Sequence, residues 1–375
     1  MHHGGKITRA SEGEGDDFVS NKGLEKVLMK GNEAIAEGAL LAGCRHYFGY
    51  PITPQTEIAA HMAKRMPKIG GTFLQAESEI ASINMVIGAS AAGRRAMTSS
   101  SSPGIALKGE GLSYLAGCDL PAVLVNIQRA GPGLGGIQPA QSDYFQATRS
   151  AGHGDFRMIS ISPSSVQEMF DFTCLAFDLA DKYRVTVMLL SDGILGQMME
   201  PITIQSREAA NLPEKDWALT GTKLSRPHNI VNSLYLQPQE LENLNILRVK
   251  RYVEIEENEA RCETYRTEDA EVIVVAYGAT ARIARSAIDE ARKQGLKAGL
   301  LRPVTLWPFP KKPLAALAKQ AVKAFVVVEM SMGQMVEDVE LAIRCAKPVL
   351  FLGHSGGMVH MPEEIAQKIQ QANLL

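Results

Sequence analysis

A chain of 375 residues, 45% of them hydrophobic, is long enough for two domains of ordinary size, each with a substantial core, and is not a small stapled scaffold. The formal net charge is -2, from 39 basic and 41 acidic residues, and no Lys/Arg block is long enough to track a phosphate backbone, which argues against a nucleic-acid partner. The five cysteines, Cys44, Cys118, Cys174, Cys262 and Cys345, lie far apart without a CxxC pair, which excludes a local zinc or iron–sulfur motif and suits a reducing compartment. Neither a run of about 18 apolar residues nor a charged-then-apolar leader is visible, so the expectation is a cytoplasmic protein with no membrane span.

In chain order, residues 1–25 are rich in Gly, charge and His and lack periodicity, and read as a mobile extension. From Lys26 onward, helical and strand periods alternate. Gly31 to Gly43 has a helical pattern and His46 to Tyr50 a short strand pattern. Glu79 to Ala92 is a second helix, with Ile80, Ile83, Ile87 and Ala91 predicted on its buried face. Pro121 to Ile127 and Arg184 to Leu190 are continuous apolar strands of the kind covered by helices on both sides, with Ser165 to Tyr183 as the helix between them. These elements make a first domain of residues 26–206. Residues 207–267 are more polar and read as a linker that closes on a charged bridging helix from Val249 to about Glu268. A second βα series over residues 268–375 alternates four strands with four helices. The fold class is therefore α/β, with two doubly wound parallel-sheet domains.

Three polar stations punctuate the first domain: Tyr50-Pro51-Ile52-Thr53-Pro54, Glu77-Ser78-Glu79, and Gln128-Arg129-Ala130-Gly131-Pro132-Gly133. Each falls where a strand ends, the edge on which open parallel sheets bind ligands, so a hydroxyl, a carboxylate and a guanidinium are predicted to face one crevice. Glu79 belongs to the first turn of a helix, where the helix dipole favours its ionised form by roughly 0.3 to 1 kcal/mol. A helix-start carboxylate with no ligand fits the same pattern, and Glu77 is the runner-up. Arg129 follows a buried strand and can hold a carboxylate through a bidentate pair, although a surface ion pair is its alternative. Thr53 sits between two prolines on a stiff turn, and Tyr50 is either a wall of the crevice or a core residue. The serines of Thr98 to Ser102 read as a cap or turn. His46, His153 and His354 are not at metal-ligand spacing, and no metal is assigned to this chain.

The YPITP segment, the ESEIASINMVIGAS helix and the QRAGPGLGGIQPAQSDYFQATRSAGHGDF run resemble the alpha subunit of the 2-oxoacid:ferredoxin oxidoreductases, and the likeness runs in order through residues 26–375. The GPGLGxIQPxQxDYFQAT wording is most similar to the branched-chain 2-oxoisovalerate type; the 2-oxoglutarate type, second choice, usually reads GPSTG there. The resemblance implies a thiamine diphosphate pyrimidine-binding domain followed by a transketolase C-terminal-like domain. It implies oxidative decarboxylation of a 2-oxo acid with CoA to an acyl-CoA and CO2, with electrons passing to ferredoxin. In that chemistry Glu79 corresponds to the carboxylate beside N1′ of the aminopyrimidine, Arg129 and Thr53 to groups that contact the 2-oxo acid, and Tyr50 to a cofactor-wall aromatic.

Thiamine enzymes of this kind hold the diphosphate and Mg2+ through a Gly-Asp-Gly start and a later Asn; the nearest echo is Ser191-Asp192-Gly193, with no suitable Asn after it. The diphosphate/Mg2+ site and the iron–sulfur clusters are accordingly expected on a beta subunit and other partner chains, with gamma and delta subunits possible and activity only in the assembled complex. The alternative is a non-catalytic α/β assembly or binding subunit of a larger complex.

Overall fold

The computed structural model describes residues 26–149, 151–205 and 211–375, so the predicted N-terminal extension over residues 1–25 lies outside the described residues. Two sheets dominate. The larger has seven strands in the order Thr305–Trp307, Ile159–Ile161, Thr186–Asp192, Ala122–Gln128, Ala96–Ser100, His46–Gly49, Thr72–Gln75, all parallel except the first. Val, Ile and Leu fill its central strands, and every residue of Ala122–Gln128 and Thr186–Asp192 is buried, because helix Val166–Tyr183, backed by Gly31–Leu41, packs on both strands and helices Glu79–Ala91, Ser102–Leu107 and Gly109–Gly117 also pack against them. The serine before the latter helix caps it, since Ser165 Oγ accepts from the Glu168 N–H at 3.1 Å. Lys26–Lys30 pairs antiparallel with Met199–Thr203 as a separate ribbon.

The chain runs from His46–Gly49 out to the edge strand Thr72–Gln75 and then returns to Ala96–Ser100 on the other side. The strand order therefore reverses between His46–Gly49 and Ala96–Ser100, the position at which open parallel sheets bind ligands. All three polar stations follow strands on this half of the sheet.

The smaller sheet has the order Val349–Gly353, Ala324–Glu329, Val272–Val275, Ala298–Pro303, Cys262–Tyr265, the first four parallel. Helices Gly278–Lys293, Lys311–Ala318, Met335–Ile343 and Pro362–Asn373 accompany it. Two departures from the sequence reading matter. The bridging helix is Pro238–Glu259 and ends well before Glu268; Cys262–Tyr265 is instead a fifth strand, antiparallel to Ala298–Pro303. Its Glu263 carboxylate accepts from Arg302 Nε at 2.9 Å along the sheet edge. Thr305–Trp307 then leaves the second sheet and completes the edge of the first by pairing with Ile159–Ile161. Trp307 is anchored there by an edge-to-face contact with Tyr252, ring centroids 5.8 Å apart.

The sheets are sewn together by the loop between Arg129 and Tyr144. Gln141 donates its N–H to the Met330 carbonyl at 2.8 Å and its side-chain amide to the Tyr277 carbonyl at 2.9 Å, and accepts from Thr280 Oγ1 at 2.8 Å. Tyr144 OH donates to Asp338 Oδ2 at 2.6 Å. Arg302, 2% exposed, reaches the first sheet's Glu168 with two N–H groups at 2.7 and 2.8 Å. One apolar core accordingly runs through both sheets.

Candidate active site

Ser78 caps helix Glu79–Ala91 by accepting from the Ala81 N–H at 3.2 Å, which fixes Glu79 in the first turn. The predicted stripe holds in part: Ile83 and Ala91 are buried, but Ile80 is 52% exposed, and the buried face carries Glu79, Ser82, Val86 and Ser90 beside them. The physical reason is that Ile83, Val86 and Ala91 set the face that packs on the sheet, and burying them carries Glu79, 6% exposed, in with them. Glu77 stays exposed and only accepts from Ser78 Oγ.

Around Glu79 the chain leaves polar capacity unused. Among the described residues no donor is hydrogen-bonded to its carboxylate. The hydroxyls of Ser100 and Ser101 at the end of the neighbouring strand, and Thr98 within it, are buried without a partner. Gly104 closes the floor: a Cβ there would collide with Ser100 Oγ and come within 2.6 Å of Glu79 Oε1. The serines read from sequence as a cap therefore cap nothing; Ser101 precedes helix Ser102–Leu107 without a side-chain hydrogen bond to it. Lys108, missed in the sequence, is wholly buried beneath, donating to Ser82 Oγ and, at 3.3 Å, to the Glu79 carbonyl. Burial pulls its ammonium down to about 8, opposed by the nearby Glu79 charge. A lysine inside the apolar run Gly104–Leu115 was the available signal.

Arg129 and Thr53 are brought together. The Arg129 guanidinium donates to the Thr53 carbonyl at 3.1 Å and to the Leu134 carbonyl at 3.2 Å, leaving three of its five N–H groups, including a buried and unpartnered Nε–H. Thr53 contributes its main chain to this contact, while its side chain is exposed. Tyr50 is held at one remove: Tyr47 OH lies 2.6 Å from Ser99 Oγ, Ser99 donates to Gln55 Oε1 at 2.6 Å, and Gln55 Nε2 donates to the Tyr50 carbonyl at 3.2 Å.

Beside Arg129 a cleft of about 480 Å³ lies between the sheets, lined among others by Ser102, Asp143, Met330, Met332 and Ser355. Ser102 Oγ and Asn126 Nδ2 both donate to Asp143 Oδ2, at 2.6 and 2.9 Å, while burial raises this carboxyl above the usual aspartate range. Glu79 does not line the cleft. The segment Ser100–Gly104 connects the two places: Gly104 and Ser100 lie beside Glu79, while Ser102 between them accepts at Oγ from the Arg129 N–H at 3.0 Å. Asp192, the nearest echo of a diphosphate motif, is instead a buried cap that accepts from the N–H groups of Ile194 and Leu195 at 2.9 and 3.1 Å, and burial pushes it up to about 6.

A buried carboxylate that accepts from none of the described residues, three unpartnered hydroxyls and a glycine floor suit a planar ring that offers N–H groups, as the aminopyrimidine of thiamine does.

Comparison with known proteins agrees. A family model described as pyruvate flavodoxin/ferredoxin oxidoreductase, thiamine diphosphate-binding, matches residues 37–271, and the pyruvate:ferredoxin oxidoreductase core domain II matches residues 270–365. The chain is 49% identical over 344 residues to the ketoisovalerate oxidoreductase subunit VorB of Methanothermobacter marburgensis, covering 92% of this chain and 97% of that one. It is 39% identical to the 2-oxoglutarate synthase subunit KorA of Methanothermobacter thermautotrophicus, covering 93% and 99%. The solved 2-oxoglutarate:ferredoxin oxidoreductase from Magnetococcus marinus, with 2-oxoglutarate, coenzyme A and succinyl-CoA bound, superposes with a TM-score of 0.81 at 29% identity, over 93% of this chain and 65% of that one, just under two thirds. A split-gene transketolase, at 13% identity and a TM-score of 0.56, shares the fold alone. Relatives this similar over nearly the whole chain, with two family models that together cover residues 37–365, establish that the chain belongs to the 2-oxoacid:ferredoxin oxidoreductase family.

Proposed function

We propose that the chain is the thiamine-pyrimidine-side subunit of a 2-oxoacid:ferredoxin oxidoreductase that converts a branched-chain 2-oxo acid, 2-oxoisovalerate before 2-oxoglutarate, and CoA to acyl-CoA and CO2. In this reading residues 26–206 form the pyrimidine-binding domain and residues 268–375 the transketolase C-terminal-like domain, joined by residues 207–267, with strand Cys262–Tyr265 of the connecting segment added to the second sheet and Thr305–Trp307 lent to the first. The observation that carries the proposal is Glu79: a buried carboxylate in a first helical turn, close to the sheet's topological switch, that accepts no hydrogen bond from any of the described residues.

When bound, thiamine diphosphate supplies a carbon nucleophile and an electron sink for loss of CO2. Glu79 accepts a hydrogen bond from the aminopyrimidine edge and keeps its proton inventory right for catalysis. The fully buried Lys108, bonded to the same helical turn, keeps a positive charge near that carboxylate. Ser100 and Ser101 offer hydroxyls to the ring, and Gly104 leaves room for it. Arg129 turns its free N–H groups to the substrate carboxylate, the Thr53 hydroxyl adds a donor, and Tyr50 walls the crevice. The diphosphate and Mg2+ are held by a beta subunit, the iron–sulfur clusters lie in partner chains, gamma and delta subunits are further partners in the complex, and ferredoxin takes the electrons. No helix among the described residues is long and apolar enough to cross a membrane.

The test is the complex co-purified with its neighbours, assayed with a panel of 2-oxo acids, CoA and a low-potential dye. The expectation is highest kcat/KM on 2-oxoisovalerate, and a Glu79→Gln complex that assembles normally with kcat reduced by about 10²- to 10⁴-fold. Activity on 2-oxoglutarate with none on 2-oxoisovalerate overturns the substrate, and a near-normal rate for Glu79→Gln removes Glu79 from the mechanism.

A further inference from the structure

The loop after the last strand of the second sheet, far in sequence from Glu79 and Arg129, gathers a different set of side chains. His354 leaves strand Val349–Gly353, and His360 precedes helix Pro362–Asn373, whose first turn carries Glu364. One ligand atom from each of the three lies within 4.8 Å of the other two. His354 Nε2 is 3.0 Å and His360 Nδ1 3.9 Å from Glu364 Oε2, and the two imidazole centroids are 4.5 Å apart.

His360 decides what this cluster can do. Its Nε2 lies 2.9 Å from the Glu329 carbonyl oxygen, which can only accept, so Nε2 carries the proton and donates. The lone pair is then on Nδ1. That atom is buried in a residue only 2% exposed, has no hydrogen-bond partner, and faces the Glu364 carboxylate. A neutral imidazole oriented by a backbone carbonyl on its far nitrogen is the arrangement by which proteins present histidine to a metal ion. Burial and the neighbouring His354 both hold His360 below the usual histidine range, while the His354 contact holds Glu364 below the usual glutamate range.

We propose that His354, His360 and Glu364 form a binding site for a borderline divalent cation of the zinc type. Ligand atoms about 2.0 to 2.2 Å from a tetrahedral ion stand about 3.3 to 3.5 Å apart, a spacing bracketed by the observed 3.0 and 3.9 Å. The side chains of His354 and Glu364 are 28% and 42% exposed, so an ion can enter from solvent and keep water as a fourth ligand. On binding, the ion takes the place of the proton on His354 Nε2, and that proton passes through solvent to Nδ1 of the same ring or to buffer. Two imidazoles and a carboxylate favour zinc over the hard cations that prefer all-oxygen sites.

The site would act on the cleft mechanically. Ser355 and Gly356, between the two histidines, line the cleft, and Gly357 packs against Gln138 of the loop beyond Arg129. An ion held by residues on both sides of this loop pins it to helix Pro362–Asn373.

The experiment uses the full chain stripped of metal with a chelator, then titrated with Zn2+ by calorimetry and with Co2+ by visible absorption. Wild type, His354→Gln and Glu364→Gln are compared; His2 and His3 are present in all three and cancel. His360 is left intact because its burial makes replacement a risk to folding. The expected result is one Zn2+ equivalent per wild-type chain, a Co2+ absorption band, and binding at least about tenfold weaker in each variant. Equal Zn2+ binding in all three proteins, or none by the wild type, overturns the site.

Discussion

The strands Ala96–Ser100 and Ala324–Glu329 both end in buried polar side chains, and the two ends treat them in opposite ways. At the first, the hydroxyls of Ser100 and Ser101 have no partner, and the neighbouring Glu79 carboxylate accepts nothing from the described residues. At the second, the Glu329 carboxylate accepts from Ser331 Oγ at 3.0 Å and from the N–H groups of Met335 and Val336 at 2.9 and 3.0 Å, and so caps helix Met335–Ile343. Both ends belong to parallel sheets of similar make, so topology alone does not distinguish them. An unsatisfied buried group costs about 1–3 kcal/mol, and a fold keeps several together where something outside the chain completes them. A satisfied end is architecture, and an unsatisfied end is a site.

The comparison is open to attack on either side. The largest effect expected is the loss of turnover in Glu79→Gln described above. Next is Arg129→Ala, whose expected outcome is an intact complex with KM for the 2-oxo acid raised about 10- to 100-fold, the equivalent of one or two charge-assisted hydrogen bonds. Because Arg129 also ties the Thr53 and Leu134 loops together, dissociation of the complex on gel filtration would show that its clamp role dominates and would favour an assembly subunit.

On the satisfied side, Glu329→Gln turns an amide NH2 toward backbone donors and should lower stability by about 1.5–3 kcal/mol in denaturant melts. The pH dependence sharpens this. Burial raises the Glu329 carboxyl above its ordinary value of 4.5, so folding takes up a proton in the interval between the two values. The contribution of this group to stability is then greatest below the ordinary value and falls as pH rises toward the raised one. The gap between wild type and Glu329→Gln should change across that interval and be constant above it; a gap independent of pH refutes the shift.

The smallest effect is expected for Ser100→Ala. With no hydrogen bond to lose, the isolated chain should melt within about 1 kcal/mol of wild type, on the stable side, while the assembled enzyme should need several-fold more thiamine diphosphate for half-maximal activity. A clear loss of stability would mean that the hydroxyl has a structural partner after all.

Much of this was legible because it is local. A strand, a capping serine and a glutamate in three consecutive steps place Glu79 whatever the rest of the chain does, and the apolar runs ending at Gln128 and Asp192 mark buried parallel strands. What escaped depends on partners distant in sequence. Ile80 reads as core by spacing, yet it faces out, because Ile83, Val86 and Ala91 define the face that meets the sheet. The serines of Thr98 to Ser102 carry the composition of a cap, and their orphaned state is visible only with the neighbouring strands in place. Lys108 is hidden by the rule that lysines face water. His354 and His360 are six positions apart, a spacing no metal motif announces, and a helix start folds Glu364 back between them. Cys262–Tyr265 and Thr305–Trp307 are short, and their strand character comes from the edges they join.

That last strand has a consequence for synthesis. Until Trp307 has left the ribosome and reached its place, Ile159–Ile161 shows a bare row of amides and carbonyls, an invitation to any passing β-segment. The nascent amino-terminal half must therefore wait, exposed, through the translation of more than a hundred further residues, and its guard against edge-to-edge aggregation arrives only with the second half of the same polypeptide.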